Sequence, residues 1–577
     1  MKKVLVSSPP PTANGDLHVG HLSGPFLRAD ILTRYLKMRD VEVYNLCGTD
    51  EHQSYVAYRA EQLGLTPTET VDRFSDAIRR TLDAARIEVD VYLRPSQSTS
   101  HVRLTQGIFA SLYANGRFIT KEAPALYCEN CDQYLFEVYV CGGCPHCGKG
   151  TCGNNCEGCG KPNDCTDLIN PVCNRCKAEP VTRSTSRLYF PLSAYEQQLR
   201  AYYETVEMNS HLRTSLEQML ENGLPDVPMS HPSNWGIPVP INGFAGQRIN
   251  VWFEVGAGLL AATHVLSKKL GMRGGWSQLW HANDVDVVTF CGFDNGFYYA
   301  MLIPAIFLAY DSQIKLQKHF LINEFYRLDG SKFSTSRDHA IWGRQLLSRA
   351  SADTVRFYLA LTGPEIEQTN FTMEEFEDTV QRELIDGCQS WLHDLGMALE
   401  TEYEGTAPAP RLWTNEQHQF YERLQVFITE AAAAYSASTF SPRRAAATVV
   451  DLIRAAHRFG KARRHQRKHA GFQQTTIALE LAAAKTLALL SAPIMPDFAS
   501  NLWRDLGNDT PVLQGGWEER PRWVRRGKRI GHLDRQYFPT INRRPAVAAA
   551  AVPPQFLSIP TSLDPAAAPA YVESRTR

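Results

Sequence analysis

The chain has 577 residues, of which 44% are hydrophobic and 21% charged, and its formal net charge at pH 7 is -1. This length is too great for one hydrophobic core, so we expect roughly three or four domains. The near-zero net charge argues against indiscriminate nucleic-acid binding but leaves room for a local basic patch. No apolar run is long enough to span a bilayer, and the first predicted strand begins too early for a signal peptide, so we expect a cytoplasmic protein with no membrane segment.

The first functional pattern lies in residues 4–23, VLVSSPPPTANGDLHVGHLS, which predict a strand, a tight turn and a long helix that ends near Arg39. His18 and His21 stand at the turn with Gly20 between them. Histidines three apart face the same side of a helical turn, and the glycine lets a ligand approach the backbone. A helix N-terminus attracts phosphate, so the pattern is compatible with a phosphate site. Taken alone, however, two histidines at this spacing are more often a pair of surface residues on a capped helix, and only the surrounding sequence favours the phosphate site.

A second strand is predicted at residues 41–46, with Asp50 after its carboxyl end. Open α/β sheets bind ligands beyond the carboxyl ends of their strands, so Asp50 is placed to meet a substrate; the alternative is a helix-capping aspartate. Residues 61–116 are predicted as further helices of the same half, with turns at Pro67 and Asp90.

Eleven of the 14 cysteines lie between Cys128 and Cys176. In a reducing compartment this density favours metal binding over a disulfide framework. Four Cys-x-x-Cys pairs would make two closed, structural Zn²⁺ sites, because each pair can offer two thiolates to a tetrahedral ion. The pairs are Cys128 with Cys131, Cys144 with Cys147, Cys156 with Cys159, and Cys173 with Cys176. Their spacing leaves open which pairs share an ion, and Cys141, Cys152 and Cys165 are left over.

The apolar strand pattern returns at Ile249 and continues into residues 251–254, and residues 319–326 are predicted as another strand before a turn at Asp329 and Gly330. From Ser351 onward the chain is predicted to be helical.

Two helices of this region carry apolar residues on one face, as in a packed bundle. The faces are Val449, Leu452, Ile453, Ala456 and Phe459, and Ile477, Leu481, Ala484 and Leu487. Residues 461–469 are strongly basic, either as a solvated helix end or as a surface for the phosphates of a nucleic acid. The candidate contacts are Arg463, Arg464, Arg467 and Lys468. The Ala- and Pro-rich tail, residues 539–577, is predicted to be disordered.

Two motifs resemble a known family. His18-Val19-Gly20-His21 resembles the HIGH signature of class I aminoacyl-tRNA synthetases, and the flanking sequence is similar to the methionyl branch with the more elaborate zinc insert. Residues 332–337 resemble the second signature, KMSKS, a mobile loop whose cation stabilises the pyrophosphate leaving group; a polar turn with a chance lysine is the alternative. Thr335 replaces the second lysine, so the resemblance implies that charge also comes from Lys332, Arg337 or Mg²⁺ bound with ATP.

The resemblance covers residues 4 to about 507 and implies an α/β fold. The expected architecture is a class I Rossmann-type catalytic domain with a parallel sheet and a zinc-binding insert, followed by an all-α anticodon-binding-like bundle. The implied domains are 1–116, the first Rossmann half; 117–235, the connective insert with zinc knuckles; 236–320, the second Rossmann half; 321–375, the KMSKS-loop and stem-contact region; 376–538, the helical domain; and 539–577, the tail.

The resemblance also implies residue roles. Catalytic residues would be His18, His21 and Lys332. ATP would contact His18, Gly20, His21, Gly292, Asp294, Lys332, Ser334, Thr335 and Ser336. The amino acid would contact Pro10, Thr12, Asp50, Trp252, Val255, Leu259 and Tyr299, with Asp50 holding its amino group. The zinc pairs would nest, the outer two sharing one ion and the inner two the other.

The chain departs from the methionyl pattern in two places. Thr12 and Leu259 stand where that branch has tyrosines, and Tyr299 where it has a histidine. The anticodon-reading positions are approximately Ser390, Asp394 and Gln466, which differ from the usual readers. We expect ATP-dependent activation of methionine or a related amino acid and transfer to tRNA, by a monomer or homodimer. The alternatives are a paralogue that activates a different amino acid for specialised metabolism or a non-tRNA acceptor, and a non-catalytic tRNA-binding or zinc-scaffold protein.

Overall fold

The computed structural model describes residues 3–332, 340–464 and 470–541. Its first part alternates strands and helices, as the sequence predicts. The elements are β1 (Lys3–Ser7), α1 (Val19–His21), α2 (Leu27–Met38), β2 (Glu42–Gly48), α3 (Ser54–Leu63), α4 (Pro67–Ala84), β3 (Val91–Leu93) and α5 (Thr99–Ala114). A π-helical segment, Leu22–Phe26, lies between α1 and α2, and Gly24 inside it has non-helical backbone angles. The predicted long helix is therefore kinked directly after the histidine motif.

The insert that follows consists mainly of antiparallel strands. Its elements are β4 (Ile119–Cys128), β5 (Gln133–Tyr134), β6 (Val140–Gly143), β7 (Gly150–Cys152), β8 (Ile169–Cys173), β9 (Val181–Pro191), α6 (Glu196–Tyr203), β10 (Glu207–Met208), α7 (Ser210–Asn222), β11 (Asp226–Pro228) and β12 (Ser230–Pro232). Strands β11, β9, β4 and β5 form one sheet, and β7, β6 and β8 form a smaller one that carries cysteines.

Two of the three cysteines of the insert outside the Cys-x-x-Cys pairs bond to each other. Cys141 and Cys152 lie opposite each other on β6 and β7 and form a disulfide, with their Cα atoms 4.0 Å apart. Directly opposed residues of antiparallel strands have close Cβ atoms, so this register allows the bond. The spacing of the cysteines left these two residues without an assignment, as it did Cys165, which is a buried free thiol.

The second α/β part completes the main sheet. Its elements are β13 (Gln247–Ile249), α8 (Val251–Lys269), α9 (Ser277–Trp280), β14 (Val285–Gly292), α10 (Ile303–Tyr310), β15 (His319–Asn323), β16 (Tyr326–Leu328), β17 (Ser331–Lys332), α11 (Gly343–Arg349), α12 (Ala352–Thr362) and β18 (Thr369–Phe371). The six-stranded sheet has the order β10, β15, β14, β1, β2, β3, and all of its pairs are parallel. Strand β1 is central: Val4 and Val6 contribute to the core on one face, and Leu5 to the core on the other.

Two predictions in this part are wrong in detail. The strand predicted from residue 251 is the helix α8, which is buried along much of its length. A helix covered on most sides has no polar stripe, so its short apolar stretches cannot be distinguished from a buried strand by periodicity. The single strand predicted at residues 319–326 is divided between β15 in the main sheet and β16, which pairs with β17 and β18.

The last part is a helical bundle. Its helices are α13 (Met373–Thr379), α14 (Ser390–Tyr403), α15 (Asn415–Tyr435), α16 (Pro442–Arg464), α17 (Ala470–Ser491) and α18 (Pro496–Asp505), with a π-helical segment at Val380–Gln389. The predicted apolar faces of α16 and α17 are buried. Their core is continuous with the sheet face that carries Val4 and Val6. Among the described helices, none has the length and apolar character needed to cross a membrane. Apart from residues 539–541, the predicted tail lies outside the described residues.

Candidate nucleotide and amino-acid site

A cleft of about 1210 Å³ opens at the carboxyl ends of β1, β2 and β14. Parallel strands direct their carboxyl ends to one edge, so side chains that follow different strands meet there. Most of the predicted ATP and amino-acid residues line this cleft: Pro10, Thr12, His18, Gly20, His21, Asp50, Trp252, Val255, Gly292, Asp294 and Tyr299. Leu259 lines a smaller cavity next to it.

The two histidines of the first motif cap the kinked helix reciprocally. The backbone N–H of His21 donates to His18 Nδ1 at 3.2 Å, and the backbone N–H of His18 donates to His21 Nδ1 at 3.3 Å. Their rings stack with centroids 3.6 Å apart. Because each Nδ1 accepts, each neutral ring carries its hydrogen on Nε2 and can donate from that atom. The two histidines therefore do cap this helix, and the capping hydrogen bonds orient both rings so that each Nε2 can donate.

His21 lines the cleft and is exposed to it. The protein that surrounds this position partly desolvates the ring, which lowers the pKa of His21 to about 4. His21 is therefore neutral at physiological pH. A neutral ring stabilises phosphate through its N–H dipole and not through a full charge.

The residues that follow the KMSKS-like segment contact the histidine motif. Val19 N–H donates to Ile341 O at 2.9 Å, and Gly343 N–H donates to Leu17 O at 2.8 Å. Ser334, Thr335, Ser336 and Arg337 lie outside the described residues, as does the side chain of Lys332, which ends β17. The described end of this segment is thus hydrogen-bonded to the histidine motif.

Asp50 is buried beside the cleft in a position set by its backbone. Its N–H donates to Pro11 O at 2.9 Å, and its carbonyl accepts from Ala13 N–H at 2.9 Å. Gln53 occupies the N-cap position of helix α3 but makes no side-chain cap. The Asp50 carboxyl group, three residues earlier, accepts from the backbone N–H of Gln53, so it contacts the start of this helix without being its N-cap residue. Burial raises the pKa of Asp50 well above its usual value, and Glu254, Glu137 and Glu51 raise it further. Among the described residues no cation pairs with Asp50, so its carboxyl group is suited to a cationic ligand.

Gly292 and Asp294 follow β14 on another wall of the cleft. A Cβ atom at position 292 would lie 2.5 Å from Asp294 Oδ1, so only glycine fits there without a shift. Burial raises the pKa of Asp294 to about 6. A carboxyl group here can accept hydrogen bonds from paired hydroxyls, as acidic residues do in ribose sites.

The aromatic wall is built by neighbours that the sequence did not indicate. Trp252 stacks on Tyr298 with centroids 3.8 Å apart and stands perpendicular to Tyr299. Tyr298 Oη donates to the carbonyl of Asn154 at 3.2 Å, and Asn155 Nδ2 donates to the carbonyl of Asp294 at 3.1 Å. The cysteine-rich insert therefore forms part of the cleft.

A second group missed by sequence reasoning surrounds Glu254 on α8. Its Oε1 lies 2.7 Å from His52 Nδ1 and 3.0 Å from His101 Nε2. Burial opposes ionisation, but His52 and His101 outweigh it and lower the pKa of Glu254 to about 2. These residues are far apart along the chain, so no local pattern identifies the cluster.

The cysteine pairs are nested, which confirms the pairing implied by the family resemblance. One group contains Cys128, Cys131, Cys173 and Cys176, and the other contains Cys144, Cys147, Cys156 and Cys159. Within each group the Sγ atoms lie within 4.8 Å of one another, so each group could hold a metal ion. Tetrahedral Zn–S bonds of about 2.3 Å require sulfur separations of this order.

The predicted tRNA contacts are only partly within the described chain. Arg463 and Arg464 end α16, and Arg467, Lys468 and Gln466 lie outside the described residues. Ser390 and Asp394 lie on α14.

Comparisons with known proteins identify the family of the chain. A profile of the family described as "tRNA synthetases class I (M)" matches residues 4–393. A methionine--tRNA ligase from Thermococcus kodakarensis is 31% identical over 94% of this chain and 74% of its own length. One from Thermomicrobium roseum is 32% identical over 86% of this chain and 85% of its own.

A solved structure gives the same fold at a lower identity. Mycobacterium tuberculosis methionyl-tRNA synthetase in complex with methionyl-adenylate matches with a TM-score of 0.75 and 18% identity, over 92% of this chain and 98% of that chain. The family and fold class expected from the two signatures are confirmed, and the chain belongs to the class I tRNA synthetases.

Proposed function

We propose that this chain activates methionine or a related amino acid with ATP and transfers the aminoacyl group to tRNA. The carrying observation is that one cleft holds the paired histidines, Asp50 and Asp294, which suit three different parts of an aminoacyl-adenylate. The relatives that carry the name methionine--tRNA ligase support the same reaction.

In the first step an oxygen of the amino-acid carboxylate attacks the α-phosphorus of ATP. A new O–P bond forms, the bond to the β-phosphate oxygen breaks, and pyrophosphate leaves. His18 and His21 would donate from Nε2 to phosphate oxygens as negative charge shifts, and Lys332 would stabilise the leaving group. Mg²⁺ would enter bound to the phosphates of ATP.

The remaining cleft residues would position the reactants. Asp50 would pair with the α-ammonium group, which would keep the aspartate ionised despite its burial. Gly292 would allow the nucleoside to approach, and Asp294 would accept from the ribose hydroxyls. Gly20, Ser334, Thr335 and Ser336 would complete the ATP contacts. Pro10, Thr12, Trp252, Val255, Leu259 and Tyr299 would surround the amino-acid side chain.

In the second step a hydroxyl of the terminal tRNA ribose attacks the activated carbonyl, and AMP leaves. The helical bundle, residues 376–538, would bind the tRNA, with Arg463, Arg464, Arg467 and Lys468 as phosphate contacts. For the other parts of the chain we keep the domain limits expected from the sequence: 1–116, 117–235, 236–320, 321–375 and 539–577. Because tRNA is the acceptor, the cytoplasm is the compartment we propose, with a monomer or homodimer as the active form.

Each group of four cysteines would hold one structural Zn²⁺. Four thiolates complete a tetrahedron, so no position is left for substrate. The insert contributes Asn154 and Asn155 to the lining of the cleft. Zinc would therefore support activity indirectly, by maintaining the fold of the insert where it lines the cleft.

The test is amino-acid-dependent exchange of labelled pyrophosphate into ATP, run across the proteinogenic amino acids and methionine analogues, with tRNA charging as a second readout. Exchange followed by charging is expected for the wild type. Asp50→Asn should lose exchange while still binding ATP, because only the ammonium contact changes. No exchange with any amino acid, with or without tRNA, would make the chain a tRNA-binding protein without this activity.

A further inference from the structure

A basic segment lies on the surface of the helical bundle, after α18. Residues 520–529, RPRWVRRGKR, contain six cations and no acidic residue. The cations are Arg520, Arg522, Arg525, Arg526, Lys528 and Arg529, and all five arginines are exposed. Arg522 Nε lies 3.5 Å from Glu518 Oε1. Lys528 Nζ lies 3.5 Å from Asp509 Oδ2. The other four arginines have no ion-pair partner among the described residues, so the segment presents a row of positive charge to solvent.

Backbone hydrogen bonds hold this segment against the loop between α14 and α15. Gly527 N–H donates to Ala407 O, and Ala407 N–H donates to Lys528 O, each at 2.9 Å. Ile530 N–H donates to Gly405 O at 2.9 Å. Arginines on a backbone that is already fixed lose less conformational freedom on binding than arginines on a free chain, so the row of charge is preorganised.

Four aromatic rings form a cluster at this segment. Trp523 stacks on Tyr421 of α15 with ring centroids 5.3 Å apart, and Trp413 meets Trp523 edge-on at 5.8 Å. His418 stacks on Trp413 with centroids 4.6 Å apart. The two tryptophans and the tyrosine are half-buried against the bundle core, and His418 is exposed. Residues 520–529 and these rings together are named the arginine–aromatic surface.

This surface lies at the end of the bundle remote from the α/β part. Leu412, next to Trp413, donates its N–H to Gly471 O at 3.3 Å, at the start of α17. After the other end of α17, the carbonyl of Pro493 accepts from Arg356 on α12 at 2.9 Å. Helix α17 has 22 residues, which corresponds to a length of about 33 Å. A ligand of this surface is therefore bound far from the junction with the α/β part.

The surface also lies beside the end of α16. Phe420, the neighbour of Tyr421 in α15, stacks on Phe459 of α16 with centroids 4.0 Å apart. From Phe459 the helix continues to Arg463 and Arg464, which the sequence predicts as phosphate contacts. Guanidinium groups bind phosphate through paired hydrogen bonds, and aromatic rings stack on bases that are unpaired. The two features together are typical of sites for single-stranded nucleic acid.

We infer that the arginine–aromatic surface binds an unpaired loop of RNA, with its arginines on the phosphates and its rings on the bases. This inference rests on the proposed function and deepens it, because it gives tRNA a contact outside the predicted residues of α16. A tRNA whose acceptor end reaches the cleft would place on this surface a loop remote from that end.

Fluorescence anisotropy of a labelled RNA stem-loop with a randomised loop tests the inference on the whole chain. A fully paired RNA with the same number of phosphates is the comparison probe. The wild type should bind the stem-loop about tenfold more tightly than the paired RNA, since only unpaired bases can stack on the rings. Arg525→Gln with Arg526→Gln should weaken stem-loop binding about tenfold. The slope of log affinity against log salt should fall by between about one and two, because two phosphate contacts are lost.

Two further variants separate charge from stacking. Arg103→Gln with Arg273→Gln removes two exposed arginines of the α/β part, so it changes the net charge equally but should keep the wild-type affinity and salt slope. His418→Ala removes the exposed ring that stacks on Trp413. It should weaken stem-loop binding several-fold and leave the affinity for the paired RNA unchanged.

Several results would overturn the inference: no binding of the stem-loop, equal affinity for the paired RNA, equal effects of the two double variants, or wild-type affinity in His418→Ala. Tighter binding of a poly-glutamate peptide than of the stem-loop would overturn it in favour of an acidic protein partner. Pyrophosphate exchange should be unchanged in every variant, because amino-acid activation takes place in the cleft. Exchange by the wild type together with any overturning result would retain the proposed activation alone. Stem-loop binding as expected, in a wild type without exchange, would retain the inference and overturn the proposed activation.

Discussion

Arg356 on α12 donates from Nη2 to Asp30 Oδ2 on α2 at 2.6 Å, and each side chain is only 1% exposed. The same guanidinium donates to the carbonyls of Ile494 and Pro493, next to α18. Asp30 also accepts from Arg34 Nε at 2.8 Å. Because α2 lies shortly after the histidine motif, this buried network connects the helix beside that motif to the helical bundle.

Removing one partner of this network should destabilise the protein strongly. Arg356→Met leaves the Asp30 carboxylate buried without its main partner, so we expect a loss of about 3 to 5 kcal/mol in the free energy of unfolding. Urea unfolding followed by tryptophan fluorescence measures it. The matched control is Arg79→Met, because the Arg79–Asp83 pair is exposed and should contribute less than about 1 kcal/mol. Equal effects of the two substitutions would show that the buried pair does not couple the two parts.

Local patterns in the sequence were sufficient for β1, β2 and the four cysteine pairs. Each depends on neighbouring residues: a short β-branched run before a turn, or a fixed Cys-x-x-Cys spacing. Helix α8 was misassigned because its first turns are apolar on nearly all sides. The Cys141–Cys152 bond depends on the register of β6 and β7, which spacing alone does not set.

Some residues of the candidate site could also be predicted from local patterns, and others could not. His18, His21 and Asp50 stand at strand ends that local patterns reveal. Glu254, His52 and His101 come together only when α5, α8 and the turn after β2 are packed. Long-range packing of this kind leaves no periodic signal, so this cluster could not be predicted from the sequence.

The reciprocal caps of the histidine motif predict different results for two substitutions at His21. In Asn, Oδ1 can replace Nδ1 as the cap acceptor, but no group replaces the Nε2 donor. In Gln, the side-chain amide can reach the Nε2 position and donate. If donation to phosphate is the main role, His21→Gln should retain more exchange activity than His21→Asn, and the latter should lose about 10²- to 10³-fold in kcat. If His21→Asn were more active than His21→Gln, capping of the helix would instead be the main role of His21.

The nested cysteine groups predict a metal content of two zinc ions per chain. Cys128→Ser should lower the content to about one and reduce thermal stability, because one thiolate of a closed site is lost. Metal release measured with a colorimetric chelator, together with thermal unfolding, checks both. Cys141→Ser with Cys152→Ser is the matched control, since these residues lie outside both groups and should leave two ions bound. Loss of metal in the control would show that the pair contributes to a site.

Asp294 predicts a pH dependence of nucleoside binding. Burial raises its pKa to about 6, so the free protein holds a neutral carboxyl group below that pH and a carboxylate above it. A carboxylate accepts two hydroxyl donors more strongly than a neutral acid does. The affinity for adenosine, which has no phosphate to titrate, should therefore rise several-fold as pH increases through about 6, measured by calorimetry. Asp294→Asn removes the titrating group and should give weaker binding with a flat profile. A wild-type profile that is equally flat, or one that falls as pH rises, would mean that Asp294 does not hold the ribose.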